Sequence, residues 1–273
     1  MLQKGLVPLG FRESLIQVTR MCTFLKKLGT REVLLLHVGS NRGKTGRRNQ
    51  QRMDEYADAV QQLGIRTNIA IQPGPIQKKV FSAAEETNPD YISLFFIKKS
   101  WITRTILGSH VKDIIRLSDL PVFVYKDTKR SETPDDTFRL LYATSLQGRD
   151  DAILSYIRDA DLHTDEVLFL YAGHRAPDPS AEQNRKEKAE RELKEAMKKC
   201  GLHEHQHRYI TVIGSPRRQI VKTARKFPSN LLLLGKADTA AGREPVLGST
   251  AEEVSYRSPC SVLIIPKEGK SIS

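Results

Sequence analysis

The two halves of the chain repeat one another, and this repeat constrains the fold more than any other feature of the sequence. The stretch "ILGSHVKDIIRLSDLPVFVYK" (106–126) aligns with "VLGSTAEEVSYRSPCSVLIIP" (246–266) at a shift of 140 residues. Solenoid proteins repeat roughly every 20–50 residues, so a period this long is typical of duplicated domains. We therefore expect two domains, over residues 1–130 and 131–273, joined by the polar segment "KDTKRSETPDDTF" (126–138).

Within each half, short apolar runs alternate with longer amphipathic segments. Uninterrupted Leu, Ile and Val runs are typical of strands covered on both faces, and helical crossovers between such strands produce a parallel sheet. The prediction is an α/β fold with two tandem Rossmann-like domains, each a five-stranded parallel sheet with helices on both faces. The predicted strands are 5–9, 32–38, 67–71, 91–96 and 121–125, then 139–145, 166–172, 207–213, 230–236 and 261–266. The predicted helices of the second half are 149–160, 181–200, 216–226 and 249–257.

Charge and cysteine content narrow the function classes. The net charge is +12, but its densest block, "NRGKTGRRNQQR" (41–52), has no interleaved aromatic residue. A solvated loop and helix start is favoured over a nucleic-acid groove, so we expect no specific nucleic-acid partner. The apolar runs fall far short of the roughly 20 residues that span a bilayer, which predicts no membrane span. Three widely spaced cysteines favour a reducing cytoplasm.

Motifs for catalysis are weak in this sequence. The segment "GSNRGKT" resembles a phosphate loop, but only three residues separate Gly39 from Gly43 where that motif needs four. No GxSxG nucleophile elbow or metal-ligand cluster is evident. We therefore expect a protein that is not an enzyme, with slow ATP hydrolysis left open.

The segment "GST" has two interpretations. Gly248, Ser249 and Thr250 open a predicted helix, downstream of Gly235 at the end of a predicted strand. Free N–H groups and the helix dipole at such a turn favour a bound phosphate, and glycine lets it approach the backbone. Equally, Ser249 or Thr250 could cap the helix, with Glu252 or Glu253 in the first turn. The sequence alone leaves both interpretations open.

With these features in place, the chain resembles the universal stress protein family in its tandem two-domain form. The resemblance depends on the strand pattern, the repeated "LGS" helix start and the closing "SPCSVLIIP". It implies the sheet order 3-2-1-4-5 in each domain and pairing of domains through their last strands. ATP-binding members carry G-x2-G-x9-G-[ST] and an aspartate that ends the first strand. Gly235, Gly248 and Ser249 match this pattern, but Asp238 replaces the middle glycine and Ser145 the aspartate.

The resemblance implies different roles for the two halves. In the first, Phe95 and Lys98 replace the first two glycines and Gly10 replaces the aspartate, so we expect a scaffold without nucleotide. In the second, ATP or AMP with Mg²⁺ is the expected ligand, and the implied binding residues are Ser145, Ala172, Gly235, Asp238, Gly248, Ser249 and Thr250. The resulting hypothesis is a cytoplasmic stress-response protein that acts by binding and association. The alternative is a ligand-free interaction module that regulates a protein partner such as a membrane transporter.

Overall fold

A computed structural model describes residues 2–96, 109–130, 137–146, 151–158, 164–201, 206–236 and 249–266. The chain divides into two compact units, residues 1–127 and 128–273. None of the helices in the described ranges combines the length and the apolar character that crossing a bilayer requires.

The first unit alternates strands and helices, as its apolar pattern predicts. Its elements are β1 (Lys4–Leu9), α1 (Leu15–Lys27), β2 (Glu32–Val38), α2 (Gly43–Gln61), β3 (Arg66–Gln72), α3 (Ile76–Thr87), β4 (Tyr91–Phe95), α4 (Ser109–Leu117) and β5 (Val122–Tyr125). The strands are parallel where they pair, in the order β3-β2-β1-β4-β5. This is the predicted order 3-2-1-4-5.

The second unit repeats the plan. Its elements are β6 (Arg139–Thr144), α5 (Asp151–Arg158), β7 (Glu166–Gly173), α6 (Pro179–Lys199), β8 (His207–Ile213), α7 (Pro216–Lys226), β9 (Leu231–Gly235), α8 (Ser249–Arg257) and β10 (Ser261–Ile265). All its strand pairs are parallel, in the order β8-β7-β6-β9-β10. The predicted α/β class is confirmed, and the predicted strands agree with the observed ones to within two residues at either end.

The chain direction across each sheet fixes where the helices lie. In the first unit the chain moves outward from β1 to β3 and then returns to β4 and β5. Right-handed crossovers place α1 and α2 on one face of the sheet and α3 and α4 on the other. The observed contacts of α1 with α2, and of α3 with α4, agree with this arrangement. In each unit, the carboxyl ends of the central strands meet the starts of the following helices at a single edge.

The segment predicted to be a polar linker includes Arg130, which binds the end of α7 in the second unit. Arg130 donates from Nη2 to the carbonyl of Arg225 at 3.0 Å, and from Nη1 to the carbonyls of Ala224 and Phe227. A guanidinium at this position supplies donors to the carbonyls of Ala224 and Arg225, which the last turn of α7 leaves without an intrahelical partner. The division after residue 127 therefore lies three residues before the predicted boundary.

Candidate functional site

Three of the predicted site residues lie at the ends of neighbouring strands in the second unit. In the β6–β7 ladder Thr144 pairs with Tyr171, and in the β6–β9 ladder Ala143 pairs with Leu234. The residues that follow are Ser145, Ala172 and Gly235. They therefore lie at the carboxyl edge of three adjacent strands, and the winding direction reverses between β6 and β9. In open α/β sheets this reversal point is the usual place for a ligand.

The residues at this edge are small, and the glycine at position 235 is also explained by helix packing. Ser145 is exposed and Ala172 is buried. Gly235 is half-buried, and a Cβ added there would lie 2.8 Å from Cδ1 of Ile153 on α5. Close packing of α5 on the sheet therefore also favours glycine at position 235.

Helix α8 begins at Ser249, within the "GST" segment whose two interpretations the sequence left open. Thr250 is half-buried, and Glu252 lies in the first turn. Gly248, Asp238 and the side chain of Ser249 lie outside the described residues.

Glu253 holds α8 against its neighbour. Its carboxylate is 3.4 Å from Arg217 on α7 and 3.2 Å from Arg257, one turn further along α8. Both arginines are partly exposed, so each pair contributes little free energy. Of the two acids that could lie in the first turn, Glu253 is therefore paired with arginines.

The first unit has different groups at the equivalent positions. Gly5 lies opposite Val33 and Tyr91, as Leu140 lies opposite Val167 and Leu231, so Gly10 is equivalent to Ser145. The peptide N–H of Gly10 donates to Oε2 of Glu13 at 3.2 Å, and Glu13 is only 5% exposed.

The ring of Phe95 fills the position of the first motif glycine in this unit. It is buried and meets Tyr125 edge-on at 5.6 Å. Lys98 and Gly108 lie outside the described residues. A buried ring at position 95 leaves less space beside the backbone than glycine would.

The loops that follow the first and third strands have the same unusual backbone conformations in both units. Phe11 and Leu146, which follow the first strand of each unit at equivalent positions, have positive φ values of 62° and 55°. Gly74 and Gly214, which follow the third strand, have φ values of 135° and 139°. Left-handed backbone at a bulky residue is costly and is found mainly where the surrounding structure fixes it. The duplication is therefore visible in the loop geometry as well as in the strands.

The structure contains a cationic cavity that the sequence patterns did not indicate. It lies in the first unit, has a volume of about 330 Å³ and is lined by Phe11, Lys44, Thr45, Arg48, Asn49 and Arg52. We call it the α2 cavity. Five of its residues belong to the basic block that the sequence analysis assigned to a solvated loop and helix start. The spacing of Lys44, Arg48 and Arg52 by four residues is the signal that could have shown that they share one helix face.

Comparison with known proteins identifies the second unit. A profile of the universal stress protein family matches residues 139–266, which include every strand from β6 to β10. The second unit belongs to the universal stress protein family. The resemblance inferred from the sequence is thereby confirmed. No curated protein matches the sequence significantly.

Solved structures extend the fold assignment to the whole chain. A universal stress protein of Archaeoglobus fulgidus DSM 4304 has a TM-score of 0.72 at 17% identity, with 98% of this chain and 100% of that chain covered. A candidate universal stress protein of Pseudomonas aeruginosa UCBPP-PA14 has a TM-score of 0.73 at 16% identity, with 97% and 93% covered. The cytoplasmic domain of a prokaryotic cation chloride cotransporter has a TM-score of 0.59 at 12% identity, with 98% and 96% covered. At these identities the likeness concerns the fold, and it fits a tandem of two universal stress protein-like domains.

Proposed function

We propose that the second unit binds an adenine nucleotide, ATP or AMP with Mg²⁺, and that the protein is a cytoplasmic stress-response protein that acts by binding rather than turnover. The observation that carries this proposal is the alignment of Ser145, Ala172 and Gly235 on three neighbouring strands where the sheet reverses direction. The family assignment of residues 139–266 adds to it.

At this edge a nucleotide would be bound mainly by backbone groups rather than by charged side chains. The start of α8 offers the positive end of a helix dipole, which favours phosphate. Gly235 lacks a side chain and lets a ligand approach the β9 backbone. The hydroxyl of Ser145 could hydrogen-bond a ribose, although neutral groups bind more weakly than the carboxylate that the family motif carries.

Asp238 is the residue that sets the expected metal dependence. A carboxylate beside a triphosphate repels it unless a cation lies between them. When bound, Mg²⁺ would neutralise phosphate charge and could bridge to an acidic side chain, as oxygen-ligated magnesium does elsewhere. Asp238 would then be a ligand of the metal, and ATP binding without Mg²⁺ would be weak.

Calorimetric titration of the full chain with ATP, with and without Mg²⁺, tests the proposal. We expect Gly248→Val to abolish binding, because a branched side chain would block the approach of phosphate to the start of α8. The duplication supplies a matched control, since Gly108→Val makes the same change at the equivalent position of the first unit. Absence of binding at about millimolar ATP, or an equal loss in both variants, would refute nucleotide binding in the second unit.

Turnover and self-association are tested on the same preparation. We expect no phosphate release above background during prolonged incubation with ATP and Mg²⁺. We also propose self-association through the last strands of the domains, and sedimentation equilibrium measures it directly. A strictly monomeric chain over the accessible concentration range would contradict self-association while leaving nucleotide binding intact.

The second candidate function is a ligand-free module that regulates a membrane transporter. The likeness to the cytoplasmic domain of a cation chloride cotransporter favours it, because that fold serves there as part of a transporter. It predicts no heat in the ATP titration together with a direct complex between this chain and a purified cation chloride cotransporter. ATP binding without such a complex would decide against this candidate.

A further inference from the structure

Helix α2 carries its charges in the order opposite to the one that stabilises a helix. No acidic side chain lies in its first turn and no basic one in its last. The positive end of the helix dipole lies at the N-terminus, so cations near that end and acids near the other are both unfavourable. The residues concerned are Arg42, Lys44, Arg47 and Arg48 at or near the start, and Asp58 in the last turn.

Two further features near the start of α2 are unfavourable for a helix. Lys44 and Arg48, and again Arg48 and Arg52, are like-charged pairs four residues apart, which lie side by side on one face and repel. Arg42, the N-cap residue, makes no side-chain hydrogen bond to the first turn. Sequences generally agree with their own local structure, and departures are expected where a function requires them. A bound anion near the start of α2 would relieve the repulsion among these cations.

The α2 cavity has the composition of an anion site. Lys44, Arg48 and Arg52 line it together with the neutral polar Thr45 and Asn49, and no acidic residue is among its lining groups. Within the described part of the chain, Lys44 and Arg48 form no ion pair and no side-chain hydrogen bond. Their charged groups are therefore accessible to a ligand.

Arg52 is held rigidly at one end of this cationic row. Its Nε donates to the hydroxyl of Tyr56 at 3.0 Å, and its Nη2 donates to the carbonyl of Glu13 at 3.3 Å. Its guanidinium carbon lies 4.9 Å from the centre of the Phe11 ring. Nη1 keeps both of its protons for another acceptor, because it has no hydrogen-bond partner among the described residues. A guanidinium fixed in this way loses little conformational entropy when it binds phosphate.

The wall of the cavity is supported by a buried histidine. His37 is 8% exposed and stacks on Phe11 with ring centres 3.7 Å apart. A carbonyl can only accept, so Nδ1 of His37 donates to the carbonyl of Leu9 at 2.9 Å. Nε2 is then the nitrogen that forms no hydrogen bond with the rest of the described chain. A side chain at Gly39 would collide with it, so glycine is required beside this ring.

From these observations we propose that the α2 cavity binds a compact anion containing a diphosphate group. Three cations on successive helical turns, about 6 Å apart along the axis, suit a row of two phosphates better than a single one. A single-stranded nucleic acid fits poorly, because it needs exposed aromatic faces for its bases and Phe11 is already stacked on His37. The site is distinct from the edge proposed to bind adenine nucleotide, since all its residues belong to the first unit.

Titration of the full chain with inorganic pyrophosphate tests this site. The measurement is made in the Gly248→Val background, so that the proposed nucleotide site of the second unit does not contribute. Lys44→Gln and Arg48→Gln should each weaken pyrophosphate binding about ten-fold or more, the usual effect of removing one charged hydrogen-bond donor. Arg47→Gln is the matched control, because it removes the same charge from the same helix but does not line the cavity. All three side chains are exposed, so the variants are expected to fold.

The outcomes separate the alternatives. Saturable pyrophosphate binding that Lys44→Gln and Arg48→Gln weaken and Arg47→Gln leaves nearly unchanged supports the proposal. Equal weakening in all three variants shows diffuse surface charge and overturns it, as does the absence of binding at about millimolar pyrophosphate. Binding of a single-stranded oligonucleotide without binding of pyrophosphate also overturns it. ADP tested in the same way identifies the source of the diphosphate: tighter binding than pyrophosphate assigns the site to a nucleotide, and equal binding to the diphosphate alone.

Discussion

The substitution Lys44→Glu should raise the free energy of unfolding of the protein. It should also abolish anion binding in the α2 cavity. Lys44 lies in the first turn of α2 and is exposed, so its replacement disturbs no packing. The new carboxylate would interact favourably with the helix dipole, where the ammonium group is unfavourable. It would also turn the repulsive pair with Arg48 into an attractive one in the better orientation, with the acid on the N-terminal side.

The magnitude follows from these two terms. A charge at a helix terminus contributes about 0.3–1 kcal/mol, and a pair four residues apart about 0.2–0.5 kcal/mol. Both terms change sign on substitution, so each counts twice. The expected increase in the free energy of unfolding is about 1–2 kcal/mol, given that the site is solvent-exposed. For a unit of this size, that corresponds to a rise of roughly 3–8 °C in the melting temperature of its transition.

Differential scanning calorimetry of the full chain measures the effect. The gain should be largest at low salt and should shrink at about 1 M salt, where the Debye length falls to about 3 Å. Pyrophosphate should raise the melting temperature of the original chain and leave that of Lys44→Glu unchanged, because only a ligand that binds the folded state shifts the transition.

Lys44→Gln serves as the control for this experiment. It removes the unfavourable terms without adding favourable ones, so its gain should be about half that of Lys44→Glu. A melting temperature that falls in Lys44→Glu would refute the reasoning, since it would mean that Lys44 is already stabilised by a partner within the chain. A gain that persists unchanged at high salt would show that the cause is not electrostatic.

Two further predictions concern the core of the first unit. Gly5→Ala should lower the free energy of unfolding by about 1–3 kcal/mol, because its new Cβ would lie 2.6 Å from the hydroxyl oxygen of Tyr91, which is buried and held at 2.8 Å from Oγ1 of Thr30. Urea denaturation measures this change, and Gly10→Ala, whose Cβ would come no nearer than 4.0 Å to any neighbour, should be close to neutral; equal effects would contradict the packing argument. Burial raises the pKa of the Cys22 thiol from 9.0 to about 12, so between these values the unfolded chain has lost this proton while the native chain retains it. Stability should therefore be intact below pH 9 and fall above it by up to about 1.4 kcal/mol per pH unit from this group. Denaturation midpoints recorded across this range should show a shallower decline for Cys22→Ala, and identical slopes would refute the contribution of the thiol.

Much of the fold followed from local patterns in the sequence. The apolar runs "REVLLLHVG" and "DEVLFLYAG" became β2 and β7 because strands covered on both faces need uninterrupted apolar side chains. The repeat of "LGS" indicated two domains, since a second copy of a strand–helix pattern needs its own sheet. The order of strands came from the family resemblance, and Gly10 proved to be equivalent to Ser145 as that resemblance implied.

The candidate nucleotide site was only partly accessible to sequence reasoning. Matching glycine positions pointed to Gly235, but the packing of Ile153 against it is a tertiary contact that no spacing rule predicts. The choice between helix capping and phosphate binding at "GST" depends on groups that meet at the start of α8 from other parts of the fold, which no local spacing specifies.

The sequence by itself determined the alternation of strands and helices, the duplication and the excess of positive charge, because these depend on residue type and local spacing. The tertiary structure alone decided which residues surround the basic block between residues 41 and 52. Folding β1 beside β2 brings Phe11 against His37, and helix formation over Gly43–Gln61 aligns Lys44, Arg48 and Arg52 in one row facing that ring. Residues more than 30 positions apart form that cavity, and their proximity is a property of the sheet register rather than of any local pattern.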